Sequence, residues 1–123
     1  MKLDHIQLAM SEGKEEDARA FFEGLLGMTE EEKPEPLASR GGCWFRKDEV
    51  IVHLGVEKNF LPQKKAHPAF VIEDLAALER KLTDAAYEVV WDTAIPSRKR
   101  FYTTDPFGNR IEFLLEGDGF TQK

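Results

Sequence analysis

Leu3-Asp4-His5-Ile6-Gln7-Leu8-Ala9-Met10 alternates in character, with Ile6, Leu8 and Met10 on one side and His5, Gln7 and Ala9 on the other. That is the period of a half-buried strand with one polar-lined face. The period then changes: Ala18, Phe21, Phe22 and Leu25 recur at helical spacing within Gly13 to Leu26. Glu15, Glu16 and Asp17 load the first turn of that helix and Gly27 can cap its end. Met28 to Pro36 is acidic and interrupted by proline, which predicts a short edge strand and a loop. After the Gly41-Gly42 turn, Cys43 to Arg46 and Val50 to Val56 read as a hairpin around Lys47-Asp48-Glu49.

The polar stretch 57–66, with Pro62 and two lysines, reads as a linker, and beyond it the pattern starts again. His67 to Ile72 reads as a strand. Asp74 is a good N-cap for a helix whose buried stripe is Leu75, Leu78, Leu82 and Ala85 or Ala86. Glu88 to Trp91, Arg100 to Thr104 and Arg110 to Leu115 read as strands, with a loop from Ile95 to Lys99 and the turn Asp105-Pro106-Phe107-Gly108-Asn109 between the last two. From Glu116 onward the tail is polar. The expected organisation is a single α+β domain of two βαβββ modules, 3–56 and 67–115, forming a curved mixed sheet around a central cleft.

Composition narrows the function classes. The 123 residues suit one domain. Hydrophobic residues at 41% and charged residues at 33% are an ordinary globular balance, which argues against disorder. A net charge of -6 disfavours nucleic acid, whose affinity comes mostly from Lys and Arg on phosphates. Cys43 is the one cysteine, so no intramolecular disulfide forms, and a small buried apolar role suits it better than that of a nucleophile. The N-terminal stretch is charged where a signal peptide is apolar, and no run approaches the ~20 apolar residues of a membrane helix. A cytoplasmic protein with no membrane partner is expected.

The titratable residues fall at matching places in the two modules. His5 and His67 open the first strands, while His53 and Glu112 lie in the last strands. Parity sends Val50, Val52, Leu54, Phe70, Ile72, Ile111, Phe113 and Leu115 to the helix side, so all four titratable residues can point into one concave space. Two imidazoles and a carboxylate with open positions form a donor set suited to Fe(II), Mn, Ni or Zn. The candidate donors for such a site are His5, His53, His67 and Glu112. His53 is suited to be a fourth ligand, a general base or a hydrogen-bond partner of a substrate, and Glu112 doubles as a catalytic candidate. Trp44 and Arg46 share one face of their strand, and Arg100 and Tyr102 share one face of theirs. An Arg46–Arg100 pair would orient a carboxylate or phosphonate, and Trp44 or Trp91 would stack on a ring. The structural alternative for Glu112 is a salt bridge to Arg110 or Arg46.

Leu3-Asp4-His5-Ile6, the helix end Phe21-Phe22-Glu23-Gly24-Leu25-Leu26-Gly27, the turn Asp105-Pro106-Phe107-Gly108-Asn109 and Arg110-Ile111-Glu112-Phe113 together resemble the vicinal oxygen chelate superfamily, also called the glyoxalase/bleomycin-resistance/dioxygenase family. The resemblance runs from Leu3 to Leu115. It implies paired βαβββ modules that combine within a chain or between the chains of a homodimer, a divalent metal on His5, His67 and Glu112, and a small-molecule substrate. In glyoxalase I-type members a second carboxylate stands where this chain has His53, which counts against lactoylglutathione lyase chemistry. The pattern looks more like the dioxygenase and fosfomycin-type thiol transferase branches, although the chain is too short for the four-module dioxygenases. Two readings result. One is a metal-dependent lyase, dioxygenase or transferase acting on an oxygen-chelating, anionic substrate; the other is a metal-free sequestering protein of the bleomycin-resistance type.

Overall fold

Strand β1 (Ile6–Met10) runs parallel to β4 (Val50–Val56), which pairs antiparallel with β3 (Cys43–Lys47), which in turn pairs with the short β2 (Thr29–Glu31). The computed structural model describes residues 1–115, and the polar tail from Glu116 lies outside the described residues. This first four-stranded sheet, ordered β1-β4-β3-β2, belongs to a unit of Met1–Pro62 with Pro106–Asn109. Its helical segment differs from the ordinary helix that the sequence predicts. The first turn, α1 (Glu15–Ala18), is regular, but Arg19–Leu25 widens into a π-helix. The Leu26 N–H donates to the Phe21 carbonyl, five residues back, at 3.0 Å. Phe21 and Phe22 are adjacent in sequence and both wholly buried, and the wide turns let both rings enter the core. Phe22 stacks on Phe45 at 5.4 Å and meets Phe21 edge-on at 4.9 Å. Gly27 ends the segment at φ +75°, as its capping role requires.

The loop expected up to Pro36 contains instead a one-turn helix, α2 (Glu35–Ala38). Pro36 stands in its first turn, where the missing N–H costs nothing and the fixed φ is already helical. The next turn needs its glycine: at Gly42, φ is +87° and a Cβ would come within 2.0 Å of the Leu54 carbonyl oxygen.

The second unit comprises Gln63–Asp105 and the strand from Arg110. Its sheet, ordered β5-β8-β7-β6, contains β5 (Ala69–Ile72), β6 (Val90–Trp91), β7 (Arg100–Thr104) and β8 (Arg110–Leu115), with β5 parallel to β8 and the other pairs antiparallel. Helix α3 (Leu75–Asp84) starts on the Asp74 carboxylate, which accepts the Ala77 N–H at 3.0 Å, and buries Leu75, Leu78 and Leu82. Strand β5 begins two residues later than predicted because Pro68 has no N–H for the ladder, although its carbonyl still accepts the Glu112 N–H at 3.0 Å. Phe101, Ile111 and Phe113 form the core under this sheet.

The architecture is α+β, with two four-stranded mixed sheets of identical strand order and few helices. The registers repeat as well. His53 pairs with Gln7 on one side and Trp44 on the other; Glu112 pairs with Ala69 and Tyr102. Among the described residues no helix is long and apolar enough to cross a membrane.

Within the first unit, the Asn109 side chain is 2% exposed and its Nδ2 donates to the Ala9 carbonyl at 2.8 Å. Asn109→Ala leaves that acceptor short of a partner, which costs about 1–3 kcal/mol. Urea unfolding checks this: the midpoint falls at unchanged m-value, whereas an unmoved midpoint refutes the anchoring role.

Candidate functional site

On the first sheet, alternation places Cys43 and Phe45 in the core and leaves Trp44 and Arg46 on the opposite face. Burial pushes the Cys43 thiol up to about 11, which suits a packing residue and not a nucleophile. Trp44 stands directly across from His53, and their rings lie parallel at 3.8 Å. The His5 ring stacks on His53 at 4.1 Å, so His53 is the middle member of a three-ring stack. His5 also shares a 2.8 Å contact between its Nδ1 and Asp4 Oδ2, and that hydrogen bond pulls the exposed Asp4 carboxyl below its ordinary value. Burial first, and the neighbouring His5 second, hold the His53 ring below the usual imidazole pKa. Arg46 does not stand free: its Nε donates to Glu31 Oε2 at 2.7 Å across the β2–β3 pair.

On the second sheet, Glu112 is a carboxylate only 6% exposed in a strand whose neighbours Ile111, Phe113 and Leu114 are all buried. Its Oε1 lies 3.0 Å from His67 Nε2, and its Oε2 accepts from Arg100 Nη1 at 3.2 Å. Arg100 therefore takes the place that the sequence offered to Arg110 or Arg46. Its Nη2 donates to Asp92 Oδ2 at 2.9 Å. Burial works against the Arg100 charge, but the Glu112 hydrogen bond, with Tyr102 and Asp92 nearby, outweighs it and raises the pKa. The ring of Tyr102 meets His67 edge-on at 5.4 Å, and the guanidinium of Arg110 lies over it at 3.9 Å.

The second nitrogen of His67 determines what the first can do. Nδ1 lies 2.8 Å from the Lys65 carbonyl oxygen, which only accepts, so Nδ1 carries a proton. That contact leaves Nε2 directed at Glu112, where it either donates a proton to the carboxylate or presents a lone pair to a cation beside it. A ring anchored through its far N–H to a backbone carbonyl is the usual support of a metal-bound histidine. With the adjacent carboxylate, this gives two donors of the kind a divalent ion takes. Among the described residues no group of three or more His, Cys, Asp or Glu converges to hold one.

The structure thus brings together Trp44, His53 and His5 on one sheet, and His67, Glu112, Arg100 and Tyr102 on the other. Arg46 is paired with Glu31. Two contributors go beyond the sequence reading, Asp92 and the Lys65 carbonyl, and Arg110, offered there as a partner of Glu112, packs on Tyr102 instead. Asp92 lies just past β6, and its N–H donates to the Arg100 carbonyl at 3.1 Å, which continues the β6–β7 register and sets the two side chains abreast. Arg110 shares the strand parity of Glu112, a signal legible in the sequence, but its packing on Tyr102 is diagonal across β7 and β8 and needs their register.

Residues 2–113 match the family model described as Glyoxalase/Bleomycin resistance protein/Dioxygenase superfamily. No curated protein matches. Among solved structures, a protein from Bacillus anthracis assigned to the glyoxalase family is 48% identical, with 94% of each chain covered and a TM-score of 0.88. A glyoxalase/dioxygenase from Nostoc punctiforme is 22% identical over 93% of this chain and 90% of that one, with a TM-score of 0.76. The fosfomycin resistance protein FosX from Listeria monocytogenes is 13% identical, covering all of this chain and 94% of the other at a TM-score of 0.74. At those lower identities the last two share the fold alone. With nearly its whole length matched by the family model and a relative of almost half its residues identical, the chain belongs to the glyoxalase/bleomycin resistance protein/dioxygenase superfamily.

Proposed function

We propose that the protein is a divalent-metal-dependent enzyme of the lyase, dioxygenase or thiol transferase type, acting on a small anionic substrate with two neighbouring oxygens. The observation that carries this is the His67–Glu112 pair, an imidazole nitrogen and a carboxylate oxygen 3.0 Å apart with the far ring nitrogen anchored on Lys65. Members of the superfamily commonly use divalent metals and bind small molecules. His67 Nε2 and a Glu112 oxygen would hold the ion, with His5 as third ligand. When bound, the metal supplies Lewis-acid polarisation of the substrate's oxygens.

The chain's own residues supply the rest. His53, clamped between Trp44 and His5, is kept neutral at neutral pH by burial, as a proton acceptor must be. Tyr102, with Arg110 over its ring, offers a phenol as hydrogen-bond partner. Arg100 supplies positive charge beside Glu112. We infer a homodimer in the cytoplasm as the working form, in keeping with a superfamily whose members often dimerise. One observation favours a second reading, a metal-free binding protein of the bleomycin-resistance type: both Glu112 oxygens are already satisfied by protein groups.

Metal content of protein purified without chelator, followed by thermal shift with Mn, Fe, Ni and Zn, separates the two. The enzyme reading expects close to one ion per site and a rise in Tm that His67→Ala and Glu112→Gln abolish. Ligand capture unaffected by chelator, with no metal-dependent shift, supports the binding protein instead.

His53 gives an independent check in the metal-free protein. Its ring should titrate below about 6.5, the unperturbed value, and His5→Ala should move it only part of the way back, because burial is the larger cause. The lowered folded-state value means the unfolded chain takes up this proton first. The stability from a neutral His53 is then complete above the unfolded value and declines as pH falls from there through the folded value. Proton NMR of the imidazole measures both, and a ring titrating at or above the free value sinks the assignment.

A further inference from the structure

Arg100 is held by two carboxylates with one arm each, and it has a third donor unspent. Nη1 reaches Glu112 at 3.2 Å and Nη2 reaches Asp92 at 2.9 Å, while Nε is buried and has no hydrogen-bond partner among the described residues. A guanidinium carries its donors in a rigid fork, and Nε with Nη2 forms one edge of it, suited to a two-point grip on a carboxylate. Asp92 is already on that edge through Nη2. The longer of the two contacts is the one to Glu112. A small turn of the guanidinium towards Asp92 would satisfy Nε and release Nη1, so the contact with Glu112 is the arm that can be given up at least cost. Asp92 is also held in place from elsewhere, since its Oδ1 accepts the Ala94 N–H at 2.8 Å.

The same Glu112 is the carboxylate proposed above to engage a divalent ion. A buried carboxylate left unpaired is costly, so without a cation beside it some protein charge must stand in. We propose that Arg100 is a resident counter-cation for Glu112, handed over to Asp92 when a divalent cation engages the carboxylate. The Arg100–Asp92 pair then sets the affinity of the site. This rests on the reading of His67 and Glu112 as metal ligands. Arg100 acts through Glu112 and is a positioning residue, not a catalytic one.

The test uses Zn²⁺, which is redox-inert and diamagnetic, with the arginine Nε–H signals followed by ¹⁵N NMR and affinity by calorimetry on the full chain. The Arg100 signal is identified by its absence in Arg100→Gln. In the wild-type protein, Zn²⁺ should shift it downfield and slow its exchange as Nε gains Asp92, and Asp92→Asn should remove that response. Arg100→Gln should bind Zn²⁺ more tightly and Asp92→Asn more weakly, each by about tenfold, the lower end of what groups supporting metal ligands contribute. Zn²⁺ binding that Glu112→Gln abolishes, with the Arg100 Nε–H unmoved, overturns the hand-over and leaves the metal site standing. Tighter binding in Asp92→Asn overturns it as well. Absence of Zn²⁺ binding in every variant, Arg100→Gln included, overturns both readings. If Arg100→Gln does not fold, Arg100→Lys identifies the signal, and the Asp92→Asn arm decides.

Discussion

Glu112 is a carboxylate in the middle of a buried strand, and the rest of the second sheet is arranged around keeping it there. Ionised and unpaired at 6% exposure, it would cost several kcal/mol. Three features of the backbone prevent that. The parallel pairing of β5 with β8 sets Ala69 opposite Glu112 and so brings His67, two residues earlier, to the same face. The β7–β8 register sets Tyr102 opposite and Arg100 on the diagonal. The continuation of β6 past Trp91 brings Asp92 alongside Arg100 to share its charge. The result is a chain of groups, His67–Glu112–Arg100–Asp92, in which every carboxylate faces a donor. Such a network is costly to leave half-satisfied.

The first sheet has the same strand order and register and a different solution. Where the second sheet has a carboxylate between an alanine and a tyrosine, the first has His53 between Gln7 and Trp44. A neutral imidazole needs no counter-cation, so no arginine is held against it; Arg46 on the same face pairs outward with the edge strand β2. Stacking takes over from ion pairing, and the rings of His5 and Trp44 pack on the two faces of His53. Burial depresses the basicity of that middle ring, which makes it a better candidate for accepting a proton near neutral pH than for holding a charge. One ladder geometry thus carries two arrangements: a charged network on one sheet and an aromatic stack on the other.

Much of this is legible in the sequence because both period and repeat survive in it. Alternation in 3–10 and 110–115, and the apolar spacing of Leu75, Leu78 and Leu82, lead to the observed strands and helix directly. Matching the two halves already associates His5 with His67 and His53 with Glu112. What escapes is what depends on register or on a local exception. The widening of the helix at Arg19–Leu25 follows from two adjacent phenylalanines both entering the core, which periodicity alone reads as an ordinary helix. Pro36 reads as a breaker until it is placed in a first turn, where proline is harmless. The pairing of Arg100 with Glu112 instead of Arg110 or Arg46 is a diagonal contact, and no linear spacing distinguishes one diagonal from the next.

The charge balance of the second sheet bears on the order of events under the proposed function. The whole chain carries -6, which would repel an anion at long range. Locally, the guanidiniums of Arg100 and Arg110 offset the carboxylates of Asp92 and Glu112, so these four groups start close to neutral. A divalent ion on Glu112 would turn that balance positive by about two charges. An anionic substrate is then drawn to the site chiefly after the metal has entered. Metal and substrate would then bind in sequence, and Arg100, whose guanidinium could grip an anion directly, would serve first as the partner of Glu112.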